Sequence, residues 1–377
     1  MAKQAYVYSG TDWVPLASEV TNLSGYQTKA LNQFPYRNLI INGAMQVAQR
    51  GTSASSLTTT GYRTADRWQF QITTQGTWTM SVENDAPTGS GFRKSTKVLC
   101  TTADASPAAG DVVLLSQTIE GQNLQRIKKG TAAAEQLTVS FWVKSNVTGT
   151  YIFEIYDADN TRAISKSYTI SASGVWEYKT ITIPADTTGA FDNDNDASVF
   201  IQWFLGAGSN LTSGTLNSSS WTSPTTANRV VGQVNLASAI NNYWQITGVQ
   251  LEVGDTATPF EFKSVEDELL ECQRYYIKFD QGKGFMGGAG GNSNNSTMGR
   301  SFPVTMRATP TMSHQNTKTT DYWNAAGNNS ALTSWHVGTT YAFVVVTHGN
   351  LYGGGRQVVY MEEASSGVSF IEYGAEL

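Results

Sequence analysis

The chain has 377 residues, a formal net charge of −5 and an isoelectric point near 5.3. Because an acidic chain repels phosphates, the charge excludes nucleic acid as a partner held through phosphate neutralisation. Only 15% of the residues are charged, against about 25% in an average soluble domain. Ser, Thr, Asn, Gln and Gly must therefore cover much of the surface, a composition that favours strands joined by turns. The two cysteines, Cys100 and Cys272, exclude a disulfide framework and a Cys/His zinc pattern.

The N-terminal segment, residues 1–35, is predicted to be a small separate unit. It lacks the apolar core of a signal peptide, and no stretch of the chain approaches the roughly 18 apolar residues of a membrane helix. We therefore expect no leader and no membrane insertion. Two short apolar runs around a turn predict a hairpin that is too small to be stable alone. We expect Tyr6, Tyr8 and Trp13 to contact the main domain, a sister chain or another protein, and a frayed tail is the alternative.

Residues 36–263 carry the pattern of one large all-β domain. Candidate strands recur between clusters of Gly, Asn, Asp and Ser, and many alternate apolar and polar residues, which buries one face of each strand. This pattern predicts a jelly-roll β-sandwich and lacks the strand–helix alternation of an α/β enzyme. The tryptophans within strand patterns are expected in the core: Trp68, Trp78, Trp142, Trp176, Trp203 and Trp244.

Residues 264–277 are predicted to form a short helix that connects two β domains. Ser264 is a good N-cap, and Asp267 follows three residues later as its capping partner. Helical spacing predicts one buried face, made of Val265, Leu269, Cys272 and Tyr276.

Residues 278–377 are predicted to form a smaller C-terminal β domain. A Gly- and Asn-rich loop opens it, and strand patterns follow, the first at residues 302–304. Trp323 and Trp335 in this region, like Trp221 before it, lie in polar, turn-like surroundings. They are candidates for exposed contact, with packing inside the chain or between subunits as the alternative for each.

The titratable residues exclude most catalytic arrangements. The only histidines, His314, His336 and His348, all lie in the C-terminal part, so the large domain has no His for a Ser-His-Asp or Cys-His site. Carboxylate pairs for glycoside hydrolysis are not marked by any context, and the chain lacks the internal repeat of a long β-helix. We therefore predict no catalytic residues, no cofactor and no enzymatic activity.

An Asp/Asn-rich run at residues 192–196 is the one candidate for a metal site. Oxygen ligands from Asp192, Asp194 and Asp196 could converge on a structural Ca²⁺. The run lacks the following Gly and the distal Glu of a helical calcium loop, so a turn before the next strand is the favoured interpretation.

Two blocks of sequence carry a resemblance to a known family. The blocks are NLIINGAMQVAQRGT at 38–52 with DRW at 66–68, and WQITGVQLEVGDTATPFE at 244–261 with ELLECQRYY at 268–276. The region between them resembles a domain common in tail-fibre and minor structural proteins of tailed bacteriophages. The resemblance implies a jelly roll similar to carbohydrate-binding modules. In those modules carboxylates near both blocks help hold Ca²⁺, but the corresponding positions here are Gln46 and either Gln250 or Glu252, so the opening carboxylate is missing.

The resemblance implies a virion structural and adhesion protein, a tail fibre or tail adhesin, assembled in the host cytoplasm as a homotrimer. Residues 1–35 would attach it to another virion protein, and residues 278–377 would form a distal tip or a trimerisation knob. The expected ligand is host surface polysaccharide or lipopolysaccharide, and the candidate contact residues are Trp221, Trp323, Trp335, Asn292, Asn294 and Asn295. One alternative is a purely architectural virion protein, such as a head fibre, capsid decoration or tail collar component. A glycan depolymerase is the other, and it would need a cleft with two opposed carboxylates.

Overall fold

The structure, a computed structural model, describes the backbone of residues 6–8, 13–15, 36–280, 286–290, 295–315, 317–321, 332–347, 358–363 and 370–377. Side chains are described at residues 36–279, 299–314, 337–342 and 370–377. Near the N-terminus, β1 (Tyr6–Tyr8) and β2 (Trp13–Pro15) pair antiparallel, which confirms the predicted hairpin.

The central part of the chain is a β-sandwich of two six-stranded antiparallel sheets. In chain order its strands are β3 (Ser53–Leu57), β4 (Gly61–Tyr62), β5 (Gln69–Thr73), β6 (Thr77–Glu83), β7 (Ser95–Thr102), β8 (Val112–Glu120), β9 (Leu137–Ser145), β10 (Gly149–Asp157), β11 (Arg162–Ile170), β12 (Glu177–Ile183), β13 (Ala197–Ala207) and β14 (Tyr243–Val253). The front sheet has the order β12-β9-β14-β7-β6-β3, and the back sheet has the order β11-β10-β13-β8-β5-β4. The chain passes repeatedly between the sheets, so the predicted jelly-roll sandwich is confirmed.

The core lies between the two sheets, where the inward residues of alternating strands meet. In β9 every second residue from Leu137 to Val143 is buried on this side. The ring of Trp203 lies 5.0 Å from that of Phe153 and 5.5 Å from that of Trp68, measured between centroids. The core prediction is confirmed for four of the six strand tryptophans, Trp68, Trp78, Trp203 and Trp244, which are fully buried.

An excursion after β13 covers part of the back sheet. It contains α1 (Ser209–Thr212), and its Val230 packs with Ile152 and Phe204 on the outer face of that sheet. Single turns of 3₁₀ helix lie at Gly121–Asn123, Gln125–Ile127, Thr226–Asn228 and Leu236–Ser238.

The predicted connecting helix is present as α2 (Val265–Gln273). Ser264 caps it as predicted, because its hydroxyl oxygen accepts the backbone N–H of Asp267 at 3.1 Å. The helix ends before the predicted residue 277, since Tyr276 already begins the next strand. No helix among the described residues is both long and apolar enough to cross a bilayer.

The predicted buried face of α2 is partly wrong. Cys272 is fully buried as expected, but Val265 is 53% exposed. Glu268 is buried although it was not predicted to be, because its carboxylate accepts the backbone N–H of Asn42. An internal hydrogen bond offsets the cost of burying this polar side chain.

The C-terminal β region contains two sheets among its described residues. Its strands are β15 (Tyr276–Asp280), β16 (Met286–Gly290), β17 (Asn295–Ser301), β18 (Thr311–Gln315), β19 (Thr317–Asp321), β20 (Leu332–Val337), β21 (Tyr341–Thr347), β22 (Val358–Glu363) and β23 (Phe370–Gly374). The sheet orders are β15-β23-β18 and β19-β22-β16-β17-β21-β20. The predicted strand at residues 302–304 is wrong. Phe302 packs 4.8 Å from the ring of Tyr373 in a small core, and Pro303 has no N–H to donate to a strand ladder.

Ion pairs with buried members join the sandwich to the C-terminal β region. The Glu376 carboxylate binds Arg67, whose side chain is 1% exposed, and Arg50 at 3.0 Å. Arg274, after α2, donates two hydrogen bonds to Glu120, at 2.9 and 2.7 Å. Separating the two parts would leave buried charges without partners, so their mutual orientation is strongly held.

Candidate functional site

The outer face of the front sheet carries two tryptophans that were predicted to be in the core. Trp142 lies in β9 between the buried Phe141 and Val143, so the alternation of the strand turns its side chain outward, where it is only partly buried. Trp176, directly before β12, is also only partly buried. The core prediction is wrong for both: Trp142 has the parity of the outward residues of β9, and Trp176 lies before β12, where its indole N–H donates to Asp85.

Trp221 shows the opposite behaviour. It is 7% exposed, and its indole Nε1–H donates to the carbonyl oxygen of Pro184 at 2.8 Å. The segment around it folds back onto β11 through a bridge between Thr222 and Ala163. The prediction that Trp221 is exposed is therefore wrong: its polar sequence neighbours face outward, while the ring joins the core.

Trp142 and Tyr178 form an aromatic pair near the edge of the front sheet. They lie directly opposite each other in β9 and the edge strand β12, with ring centroids 5.2 Å apart and planes tilted by 47°. Tyr178 is 46% exposed, so part of its ring surface is open to solvent. Rigid aromatic side chains offer a large contact area at a small cost in conformational entropy.

Three phenylalanines, here called the phenylalanine wall, stand over the same sheet face. The ring centroids of Phe92, Phe260 and Phe262 lie 4.9 to 5.1 Å apart, and Phe262 is 52% exposed. Gly248 of β14 has a φ of +61°, and a Cβ at this position would lie 2.5 Å from Cζ of Phe92. Glycine therefore makes room for the ring at an irregularity in the strand.

The aromatic pair and the phenylalanine wall line one open groove of about 430 Å³, here called the aromatic groove. This volume falls within the roughly 300–1,000 Å³ of small-molecule sites. The lining consists of Ser90, Phe92, Ser140, Trp142, Tyr178, Gly248, Pro259, Phe260 and Phe262. Flat aromatic surfaces beside a few polar groups suit a ligand with alternating apolar and hydroxyl surfaces, such as a sugar chain.

An ionised carboxylate is held on the sheet beside the aromatic groove. Lys144, the next outward residue of β9 after Trp142, binds Asp85, and its ammonium lies 5.1 Å from the ring centroid of Trp176. Asp85 also accepts the indole N–H of Trp176 at 3.2 Å. Burial opposes its ionisation, but the hydrogen bonds from Lys144 and Trp176 hold the pKa of Asp85 below its usual value.

The last-strand positions singled out by the family resemblance support the groove. The Glu252 carboxylate accepts the backbone N–H and the hydroxyl of Thr258 at 2.8 and 2.6 Å. The side-chain oxygen of Gln250 accepts the backbone N–H of Glu261 at 2.8 Å. Both contacts hold the segment that carries Phe260. The side chains of Gln250 and Glu252 therefore position the phenylalanine wall.

The predicted calcium ligands do not converge on one point. Asp194 accepts the backbone N–H of Asp196 at 3.0 Å, and Arg307 of the C-terminal β region donates to the carbonyl of Asn195 at 3.0 Å. Asp192 points to solvent. Within the described part of the chain, no three His, Cys, Asp or Glu side chains are grouped closely enough to hold a metal. The calcium interpretation is wrong for this run, which is the turn that the sequence favoured and which also docks the C-terminal region.

Most of the predicted contact residues cannot be placed in a site. Asn292, Asn294 and Trp323 lie outside the described residues. The other five lie in strands of which only the backbone is described: Asn295, Trp335, Tyr6, Tyr8 and Trp13. All of these assignments stay predictions.

Comparisons with known proteins give similarities to solved structures alone. No protein-family model matches the chain, and no curated protein matches it. Bacteriophage CBA120 tailspike protein 4, in its enzymatically active domain, is 17% identical with a TM-score of 0.33, over 58% of this chain and 22% of that chain. TmCBM61 in complex with β-1,4-galactotriose is 11% identical with a TM-score of 0.30, over 58% of this chain and 99% of that one. The family 11 carbohydrate-binding module from Clostridium thermocellum, in complex with a mixed-linked tetrasaccharide, is 10% identical with a TM-score of 0.27, over 55% and 96%. The match thus spans less than a quarter of the tailspike chain, and TM-scores this low decide nothing about function.

Proposed function

We propose that this protein is a non-enzymatic virion adhesion protein of a tailed bacteriophage, and that it binds host surface glycan in the aromatic groove. The outward-facing pair of Trp142 and Tyr178 carries the glycan-binding part of the proposal. Exposed aromatic side chains that line a groove are typical of interaction sites and supply most of the binding energy where they occur.

The phage part of the proposal is supported by the two sequence blocks that bracket the sandwich. In the fold these blocks meet, because the Asn38 side chain donates to the carbonyl of Val249 at 3.1 Å and accepts the N–H of Leu251 at 3.0 Å. The two blocks therefore hold the sandwich together. They support the proposal of a phage structural protein, but they do not identify its ligand.

Binding by such a groove is expected to be weak for one copy and stronger for several. We include in the proposal a homotrimer, in which three grooves engage one glycan-coated surface and raise the effective affinity. Residues 1–35 are proposed to attach the trimer to another virion protein, which places it on the tail or another external appendage.

The test is binding of the full-length, labelled protein to a panel of bacterial capsular polysaccharides and lipopolysaccharides. We expect saturable binding, with a loss of about tenfold in affinity for Trp142→Ala and for Tyr178→Ala, as for aromatic hot spots elsewhere. Tyr341→Ala is the matched control, since Tyr341 is 45% exposed and lies in the C-terminal β region. Light scattering on the same samples measures the oligomeric state.

The control also separates this proposal from its rivals. A loss of binding in Tyr341→Ala but not in Tyr178→Ala would move the ligand to the C-terminal region. A folded protein that binds no member of the panel would favour the purely architectural role. The release of new reducing ends from a bound polysaccharide would instead identify a depolymerase.

A further inference from the structure

The loop before β7 and β7 itself carry cations that have no ion-pair partner among the residues whose side chains the structure describes. Arg93 directly follows Phe92 of the wall and is exposed, and Lys94 comes next. Neither side chain, nor that of Lys97, forms an ion pair with any carboxylate in the described part of the chain. Such side chains are available to an anion from outside.

The strand register relates the position of Lys94 to that of the aromatic pair. The Thr247 hydroxyl donates to the carbonyl of Lys94 at 2.6 Å, and Thr247 lies directly opposite Trp142. Because Thr247 belongs to β14, which lies between β9 and β7, the Lys94 backbone lies two strand spacings from Trp142, about 10 Å in the hydrogen-bonding direction.

Lys97 lies on the same outer face, one row along the strands. It stands opposite Gln245, which in turn stands opposite Lys144. The two lysines are thus about 10 Å apart across two strand spacings. The Lys97 ammonium lies 4.8 Å from the ring centroid of Tyr243, which keeps the cation over the sheet.

The charge balance of this face is opposite to that of the whole chain. Arg93, Lys94, Lys97 and Lys144 are opposed by three carboxylates, those of Glu83, Asp85 and Glu252, which leaves one excess positive charge, whereas the whole chain carries −5. The binding of Asp85 by Lys144 and Trp176 shows that the face already accommodates a carboxylate, contributed here by the protein. A local positive field on an acidic protein selects for negatively charged ligands.

We propose that the glycan bound in the aromatic groove is anionic, with its carboxylate or phosphate groups held by Arg93, Lys94 and Lys97 while its sugar rings stack on Trp142 and Tyr178. This inference rests on the proposed function and adds the chemical class of the ligand. The groove lining itself has no Asp, Glu, Lys or Arg, so sugar stacking and charge recognition fall to neighbouring but separate residues. That separation makes the two contributions testable one at a time.

The first experiment compares neutral, carboxylate-bearing and phosphate-bearing polysaccharides as probes for the full-length protein. We expect the bound glycans to be anionic, and their affinity to fall at least about tenfold between about 50 mM and about 500 mM NaCl, because salt screens exposed charges. Chemical reduction of carboxyl groups and removal of phosphate with hydrofluoric acid then distinguish the two sources of charge. The treatment that abolishes binding identifies the group.

The second experiment uses Lys94→Gln and Lys97→Gln, with Lys128→Gln as the control. Lys128 is 52% exposed and pairs with Glu135 away from the groove. We expect each groove variant to bind about threefold to tenfold more weakly at low salt and to depend less on salt, while the control binds like the wild type. Unfolding curves of all three variants establish that they are folded.

The outcomes separate this inference from the proposed function. Salt-independent binding to a neutral glycan that is lost in Trp142→Ala would overturn the inference and leave the proposed function standing. Equal affinities of Lys94→Gln, Lys97→Gln and the wild type would likewise overturn the inference. The absence of binding to every probe would overturn both.

Discussion

Replacing Gly248 with alanine tests whether the irregularity in β14 holds the phenylalanine wall in place. The left-handed conformation at φ +61° costs a residue with a Cβ about 1–2 kcal/mol. The new Cβ would also lie 2.5 Å from Cζ of Phe92, so the ring must move, and overpacking of this kind costs about 1–3 kcal/mol. We therefore expect the free energy of unfolding to fall by about 2–5 kcal/mol in total.

Gly89→Ala is the matched control. Gly89 has a φ of +78° but nothing within 4 Å of its ideal Cβ. Alanine at this position therefore strains the backbone but does not clash with a neighbour. Urea unfolding followed by tryptophan fluorescence gives both free energies, and their difference isolates the contact with Phe92. Glycan affinity should fall in Gly248→Ala and stay unchanged in Gly89→Ala.

Two results would refute this reasoning. Equal destabilisation of both variants would mean that the Phe92 ring yields at no cost, so the irregularity does not fix its position. A destabilised Gly248→Ala that binds glycan like the wild type would mean that the wall does not contribute to the aromatic groove.

Three further predictions concern the core and the junction between the two parts. Glu376→Gln leaves the buried Arg67 guanidinium without its carboxylate. We therefore expect the free energy of unfolding to fall by about 3–5 kcal/mol and proteolysis near residue 280 to become faster. An unchanged midpoint of urea unfolding would contradict this. Burial raises the pKa of Asp66 from its ordinary 3.8 to about 6, so the folded state holds this proton more tightly than the unfolded state. The stability that this bound proton contributes is fully present below about pH 4 and is lost as the pH rises through about 6. The free energy of unfolding should therefore fall by about 3 kcal/mol over this range. The free energy of unfolding of Asp66→Asn should lack this fall relative to the wild type, and identical pH profiles would disprove the assignment. Trp221→Ala should cost about 3–5 kcal/mol in stability without changing glycan affinity, the reverse of the expected pattern for Trp142→Ala; weaker binding by a folded Trp221→Ala would count against its role in the core.

The fold class could be predicted because it depends on local patterns that the sequence displays openly. Period-two alternation, turn residues and the Ser264 cap each act within a few residues, and the structure confirms all three. The face of the sheet to which an individual side chain points was harder to predict. In β9 the run Phe141-Trp142-Val143 is apolar on both faces, so the pattern cannot say which of its side chains points inward. The outward position of Trp142 follows only from the pairing of β9 with β12 and β14.

The aromatic groove was beyond the reach of sequence reasoning for a related reason. Its parts come from the loop before β7, from β9, β12 and β14, and from the segment after β14, and the sheet order alone brings them together. No local pattern marks Phe92 as a neighbour of Gly248, since their contact depends on an irregularity in the register of β14. Trp221 was misplaced in the same way, because its burial depends on the distant partners Pro184 and Ala163.

The division between framework and groove has a consequence for how such a protein can change its ligand. The framework blocks hold the two ends of the sandwich together through Asn38, Val249 and Leu251, and changing them would destabilise the fold. The phenylalanine wall, Arg93 and Lys94 lie instead on residues 84–94 and 255–262, which are loops, and loops tolerate substitution without loss of the core. Gly248, Gln250 and Glu252 connect the framework to the wall, since each is a strand residue that positions the wall. Substitutions of the loop residues that line the groove or carry its cations, such as Ser90, Arg93 and Pro259, should therefore alter which glycan is bound at little cost in stability, whereas substitutions at these three strand positions should affect binding and stability together.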